Sequence, residues 1–379
     1  TWSRDMGVGL CSVVNPERLR TGKTPWLSVE GRGKNATYRW NLVGGRDGLP
    51  GHVVLWDEIH RGMSGTKTQI GAMAAMLRPQ GIPVLLMSAT PFNSPLNMRS
   101  SGYLLRMHGY SAASFFDFCR RHGCKPSPWH RGLDFNPESR AAKEHLRRIN
   151  EFLQDRMVRL TVEDMAEYFS DNVVEPTLIS LAERDREEVE SIYAEMEAEV
   201  RKRDHGNPLV DLLRARQRAE LLSVPTLVEM VQDSVEEGNA VYVAQSFIDS
   251  AHKLAFALND AGLRVGVITG ETSQAERNRY VDEFQRDLIQ VLVATLGAGG
   301  LSISLHQTSL DQKPRTSLLR PSYRADELMQ ALGRIHRAGG LSPVVQRIVL
   351  VAGTVEEKVY RRLQAKLSNI QALTDSDLR

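Results

Sequence analysis

Cysteine is scarce. Cys11, Cys119 and Cys124 are the only three in 379 residues, too few for a disulfide framework and suited to a reducing, intracellular setting. Long hydrophobic runs are missing too. No stretch is long and apolar enough to span a bilayer, so no membrane partner is expected, and no signal-peptide pattern opens the chain. Charge of one sign is not in excess. The net is +2, so the total demands no polyanionic partner, and any nucleic-acid surface must come from local clusters. Internal repeats and low-complexity tracts are absent. The chain begins "TWSRDMGVGL" without an initiator methionine and reads as a fragment. What it does have is 41% apolar and 25% charged residues over a length that predicts two or three compact units.

Six short, near-continuous apolar runs stand out: "HVVLWD", "PVLLMS", "AVYVAQ", "RVGVIT", "QVLVAT" and "QRIVLVA". Such runs predict strands of a parallel sheet covered on both faces. Helical patterns lie between them. Ser273 with Glu276 predicts a capping box, and Asp249 or Ser250 is expected to cap a helix that Gly262 ends. Strand and helix alternate over about 240–352, and a shorter α/β stretch covers about 50–105. The middle is different. From about 111 to 235 strand signals are few, and Val189, Ile192, Tyr193, Met196 and Val200 fall on one helical face. The basic run "LLRARQRAE" reads as a solvated helix face or a phosphate contact. The expected organisation is 1–110, 111–235 (mainly helical) and 236–379.

Several short motifs carry chemistry. "VVLWDEIHRG" ends an apolar strand in Asp57 and Glu58. Adjacent carboxylates repel, so they stand either at an ordinary surface or where a metal ion and an activated water are handled. The next strand ends in Ser88-Ala89-Thr90. "VLVATLGAGGLSISL" runs a strand into Gly297, Gly299 and Gly300, which make a tight turn or let backbone amides approach a phosphate. In "DELMQALGRIHRAGG", read as a helix, Gln330, Arg334 and Arg337 share a face at i, i+4 and i+7. Cys119, His122, Cys124 and His130 lie close together, but their spacing matches no usual zinc pattern, and structural cysteines with surface histidines are expected.

In this order, DEIH, SAT, "AVYVAQSF", "ATLGAGGLS" and "QALGRIHR" resemble the second to sixth motifs of superfamily-2 helicases. The likeness is to the Swi/Snf-type remodelling ATPases and their phage and viral relatives, and it covers about 50–379. "RMVRLTVEDM", "GETSQAERNRYVDEF" and "GTVEEKVYRRLQAKL" extend it. The resemblance implies an α/β fold of two RecA-like parallel-sheet lobes joined by a helical insert, the first lobe incomplete. It implies an ATP-hydrolysing helicase or translocase acting on nucleic acid, double-stranded DNA in the first instance, in bacterial or infected-cell cytoplasm or in a nucleus. Its cofactors would be ATP and Mg²⁺. Asp57 would hold Mg²⁺, Glu58 would polarise the attacking water, and Arg334 and Arg337 would be arginine fingers. Gln330 would bond nucleotide or its neighbours. His60 and Ser88, Ala89 and Thr90 would couple the nucleotide site to the track, and Thr295, Gly299 and Gly300 would touch the nucleic-acid backbone. Oligomeric state is not implied.

Two features depart from that pattern. The only candidate phosphate loop, "ERLRTGKTPWL", has Glu17 where the first glycine is needed and Pro25 immediately after Thr24. The segment resembles a different stretch of the family, and the true loop is expected upstream of the printed sequence. Ser302 stands where many relatives have glycine. A chain without the loop would be a binding module that grips nucleic acid or a partner without turnover. A phosphate loop centred on Lys23 is the remaining alternative.

Overall fold

All six apolar runs form strands, and six further strands among the described residues come from segments with weaker signals. The computed structural model describes residues 12–31, 33, 36–42, 51–59, 63, 68–88, 92, 94–127, 132–137, 139, 141–189, 191–192, 208–299, 303–322, 324–354, 356–357 and 359–365. The chain divides into two units, Thr1–Arg159 with Ala365–Arg379, and Leu160–Gln364. Residues 111–235, expected as one helical insert, contribute to both units.

In the first unit, a short helix α1 (Pro16–Leu19) precedes an antiparallel hairpin of β1 (Leu27–Glu30) and β2 (Thr37–Trp40). β3 (Val54–Trp56) is joined through α2 (Gln69–Ala75) to β4 (Val84–Leu86), which lies parallel to it. Trp40 meets Trp56 edge-on at 6.5 Å and donates its indole N–H to the Met73 carbonyl at 2.9 Å, so hairpin, strand and helix share one core. α3 (Arg99–Leu104), α4 (Ala112–Arg121), the two-residue strands β5 (Lys125–Pro126) and β6 (Leu133–Asp134), and α5 (Ala142–Leu153) complete the unit. Cys119 and Cys124 are buried, as expected of structural cysteines, and the Cys119 thiol faces the Pro95 carbonyl at 3.8 Å. His130 lies outside the described residues.

The second unit is built on a six-stranded sheet in the order β7-β12-β11-β8-β10-β9, with every pairing parallel. β7 (Asn172–Ile179) is the edge strand, where Pro176 is tolerated because no further partner needs its missing N–H. α6 (Pro208–Leu222) and α7 (Val224–Glu236) lead into β8 (Ala240–Gln245), α8 (Ile248–Asp260), β9 (Val265–Ile268), α9 (Gln274–Gln285) and β10 (Val291–Thr295). The one-turn helix α10 (Leu296–Gly299), β11 (Arg315–Leu319), α11 (Ala325–Leu332) and β12 (Val344–Val351) follow. β8, β10 and β11 are buried at every position, as strands covered on both faces must be.

Local signals account for part of this. The capping box forms, with Glu276 N–H donating to Ser273 Oγ and Ser273 N–H to the Glu276 carboxylate. Gly262, at φ +84°, takes the left-handed conformation that ends α8. The start of α8 differs from expectation. It begins at Ile248 without a side-chain cap, and a distant residue holds the turn before it. The buried Glu220 of α6 accepts from the Ser246 N–H at 2.8 Å and from the Phe247 N–H and the Ser250 hydroxyl. Nor is the basic run solvated throughout. Arg216 is buried and donates to the Pro321 carbonyl at 2.7 Å, while Arg218 pairs with Glu188. Val189 is fully buried, and Tyr193, Met196 and Val200 lie outside the described residues. Among the described residues no helix is long and apolar enough to cross a membrane.

Candidate functional site

β3 and β4 run in register, Trp56 opposite Leu86, so their carboxyl ends lie side by side. Beyond the strands the two segments stay joined, the Met87 N–H donating to Trp56 O at 2.8 Å and the Ile59 N–H to Met87 O at 3.2 Å. Asp57 and Glu58 are therefore set beside Ser88 at one edge, where open α/β sheets bind ligands. Asp57 is exposed and Glu58 half-buried. Glu58 has φ +54°, a left-handed backbone unusual for a side chain of this size, and its N–H donates to the Asp57 carboxylate at 2.9 Å. The pair thus diverges on a sharp turn rather than running on along the strand. His60, Ala89 and Thr90 lie outside the described residues.

Gly22, Lys23 and Thr24 do not form a strand–loop–helix. They follow α1 in a turn, Thr24 bridges Leu27, and a β-hairpin comes next. A phosphate loop instead needs a helix amino terminus behind it.

In the second unit the carboxyl edge of the sheet gathers Gln245 and Thr295, which are register partners. Thr295 is buried, so its side chain does not face out as a nucleic-acid contact would. The glycines after it open a one-turn helix rather than a bare turn. Gly297 is exposed, has no left-handed φ, and has nothing within 4 Å of where a Cβ would sit. Among the described residues, neither conformation nor packing requires glycine there. Gly299 ends this helix, and Gly300 lies outside the described residues. Gln245 is a site residue that sequence reasoning missed. It is fully buried, and neither atom of its amide has a hydrogen-bond partner.

The arginine pair departs from the helical expectation. α11 ends at Leu332, and the Gly333 N–H closes back on Met329 O at 3.0 Å. Gln330, half-buried, is on the helix, but Arg334 and Arg337 are beyond it and do not share its face. Arg334 is buried, 4% exposed, and donates to the Ile303 carbonyl at 3.0 Å. Arg337 is half-buried. Its Nε–H donates to Gly333 O at 2.9 Å and its Nη1–H to Ser304 Oγ at 2.8 Å. It lines an open pocket of about 480 Å³ together with Phe169, Ser304, His306, His336 and Ala338. Burial lowers the pKa of Arg337 from the ordinary guanidinium value, and burial followed by Arg337 and Arg315 lowers that of His306. The pocket residues come from three separate chain segments, so no local pattern announced them.

Residues 223–339 match the helicase conserved C-terminal domain, a span that contains β8 to α11 and both arginines. A protein of Acanthamoeba polyphaga mimivirus, provisionally named an ATP-dependent RNA helicase, is 31% identical over 86% of this chain. The chain is similar to helicases of the Swi/Snf-related kind. It spans 62% of the length of the mimivirus protein. The DNA repair protein RAD5A of Arabidopsis thaliana is 36% identical over 30% of this chain and 11% of its own. Among solved structures, the Sulfolobus solfataricus SWI2/SNF2 ATPase core in complex with dsDNA aligns at 15% identity and a TM-score of 0.44, covering 86% of this chain and 69% of that one. The α/β class and parallel sheet expected of this helicase family are what the second unit displays.

Proposed function

We propose that the chain is the motor part of an ATP-dependent helicase or translocase that moves on duplex DNA and uses Mg²⁺. The observation that carries the reading is the β3–β4 pairing, which sets Asp57, Glu58 and Ser88 at one strand edge in a chain that also holds a helicase C-terminal domain. An exposed carboxylate such as Asp57 suits a hard cation that keeps most of its water. Mg²⁺ held there would offset charge on the β- and γ-phosphates. Glu58, on its sharp turn, orients the attacking water. His60 and Ser88, Ala89 and Thr90 link that centre to the track, and Gln330 contacts nucleotide or its neighbours. Arg337, with N–H donors directed to a pocket, is the arginine finger. Arg334 serves by holding the Ile303 backbone in place. The open space at Gly297 supports an approach of the nucleic-acid backbone to the Thr295–Gly300 segment.

The test is phosphate release by the intact protein with duplex DNA, RNA or neither. Glu58→Gln is expected to lower the rate by about 10²–10⁴-fold. Arg337→Ala should lower kcat at least about a hundredfold with KM for ATP little changed. Stimulation by RNA alone would overturn the choice of DNA, and unchanged rates in both variants would overturn the motor. A second reading has one observation in its favour: Gly22–Thr24 lacks the setting of a phosphate loop. On that basis the 379-residue chain by itself is a binding module that hydrolyses ATP poorly. Robust turnover by the chain alone, abolished by Lys23→Ala, would reverse this.

A further inference from the structure

The segment 303–305 and the segment 333–337 are laced together. Arg334 donates to Ile303 O at 3.0 Å, and the Leu305 N–H returns to Arg334 O at 2.9 Å. Arg337 donates to Ser304 Oγ at 2.8 Å. The backbone of Ser304 is itself held from a third direction, because Gln285 at the end of α9 donates its amide to Ser304 O at 2.8 Å and to His306 O at 3.2 Å. The Ser304 hydroxyl is therefore aimed by fixed neighbours. The Gly333 carbonyl takes the Nε–H of Arg337 and the Ser304 hydroxyl takes an Nη1–H, and no other partner of Arg337 is present among the described residues. A guanidinium has five donors in a rigid plane, so two anchored N–H groups fix where the rest point. They are left to the pocket that His306 and Phe169 also line.

We propose that Ser304 is a positioning residue for Arg337, its hydroxyl orienting the guanidinium for a phosphate that develops charge during hydrolysis. This rests on the reading of Arg337 as the arginine finger. Without the hydroxyl, the long Arg337 side chain keeps its charge but samples more rotamers, which weakens a transition-state contact more than ground-state binding.

Steady-state ATP hydrolysis by the intact protein with duplex DNA tests this through Ser304→Ala, Ser304→Thr, Arg337→Ala and the Ser304→Ala/Arg337→Ala double variant. Ser304→Ala is expected to lower kcat about tenfold, the size of one hydrogen bond to a charged group, with KM for ATP within about twofold. Ser304→Thr, which keeps the hydroxyl, should recover the rate to within about twofold. The double variant should be no slower than Arg337→Ala alone, because the hydroxyl acts only through the arginine. A merely structural serine would give additive losses and no rescue by threonine, and either result overturns the proposal. If Arg337→Ala slows hydrolysis while Ser304→Ala does not, Ser304 alone is misassigned. If Arg337→Ala changes nothing, the arginine-finger reading falls and the proposal falls with it.

Discussion

The apolar runs "HVVLWD" and "AVYVAQ" look alike as text and behave differently in the molecule. β8, from the second, is buried at all six positions, between β11 and β10 and under helices. β3, from the first, pairs among the described residues with β4 alone, and Val53, Leu55 and Leu85 are 60%, 60% and 54% exposed. An apolar run states what a strand needs, namely cover on both faces. Whether the need is met depends on how many neighbours the topology supplies. The second unit answers with a six-stranded sheet and helices, the first, among the described residues, with a two-stranded β3–β4 sheet.

That contrast can be broken or sharpened by measurement, beginning where the effect is largest. In the second unit Arg320 is 1% exposed and donates to Ser223, Val349 O and the wholly buried Glu356. Burial raises the pKa of Glu356 despite Arg320 beside it. Arg320→Ala is expected to cost about 3–5 kcal/mol in denaturant unfolding, because it leaves a buried carboxyl without its charge partner and a buried hydroxyl without its donor. A loss no larger than that of a surface substitution would mean that water reaches this cluster. Next, Leu318→Ala in β11, 1% exposed in native packing, should cost roughly 2–5 kcal/mol.

A smaller effect concerns acid. Burial is the first cause lowering the pKa of His306 in the second unit and of His122 in the first. A histidine depressed in the folded state takes up its proton more readily once unfolded, so stability is present above the ordinary histidine range and declines as pH falls through it. Both units should therefore weaken between about pH 7 and pH 5, with His306→Asn removing part of the loss from the second. Thermal unfolding followed across that range reads the outcome, and a midpoint that rises on acidification would contradict it. The smallest effect is the sharpest test of the comparison. Leu55→Ala should change stability by no more than about 0.5 kcal/mol, although its sequence setting matches that of a core strand. A cost like that of Leu318→Ala would mean that the exposed face of β3 is covered in solution.

The features legible beforehand were those set by short-range chemistry. The six apolar runs became strands because continuous β-branched and aliphatic side chains satisfy a two-faced sheet. Ser273–Glu276 capped its helix, and Gly262 ended one, since each needs only neighbouring backbone groups. The order of the motifs was sufficient to point to helicases, to which the chain is similar. The missed strands show the limit of that method. β11 opens on Arg315, which looks exposed in text but is buried against Asp287 at 2.6 Å, and β7 carries Glu175 and Pro176 yet closes the sheet as its edge.

The candidate site divides along the same line. The carboxylates Asp57 and Glu58 could be picked out from residue type and position in the chain, and their strand-end placement followed from the apolar run before them. The arginines could be named but not placed. A helix continued through Arg337 would have put Gln330, Arg334 and Arg337 on one face. Instead the chain leaves the helix at Gly333, burying Arg334 against Ile303 and turning Arg337 toward Ser304. Residue type and spacing alone pointed to an α/β chain similar to helicases, with an acidic strand end and a basic segment far downstream. Which arginine faces a pocket, which hydroxyl holds it, and that Glu220 holds the turn before α8 were decided only by tertiary structure. Those contacts join groups brought together by sheet order and helix ends, and no periodicity along the chain encodes a partner that distant.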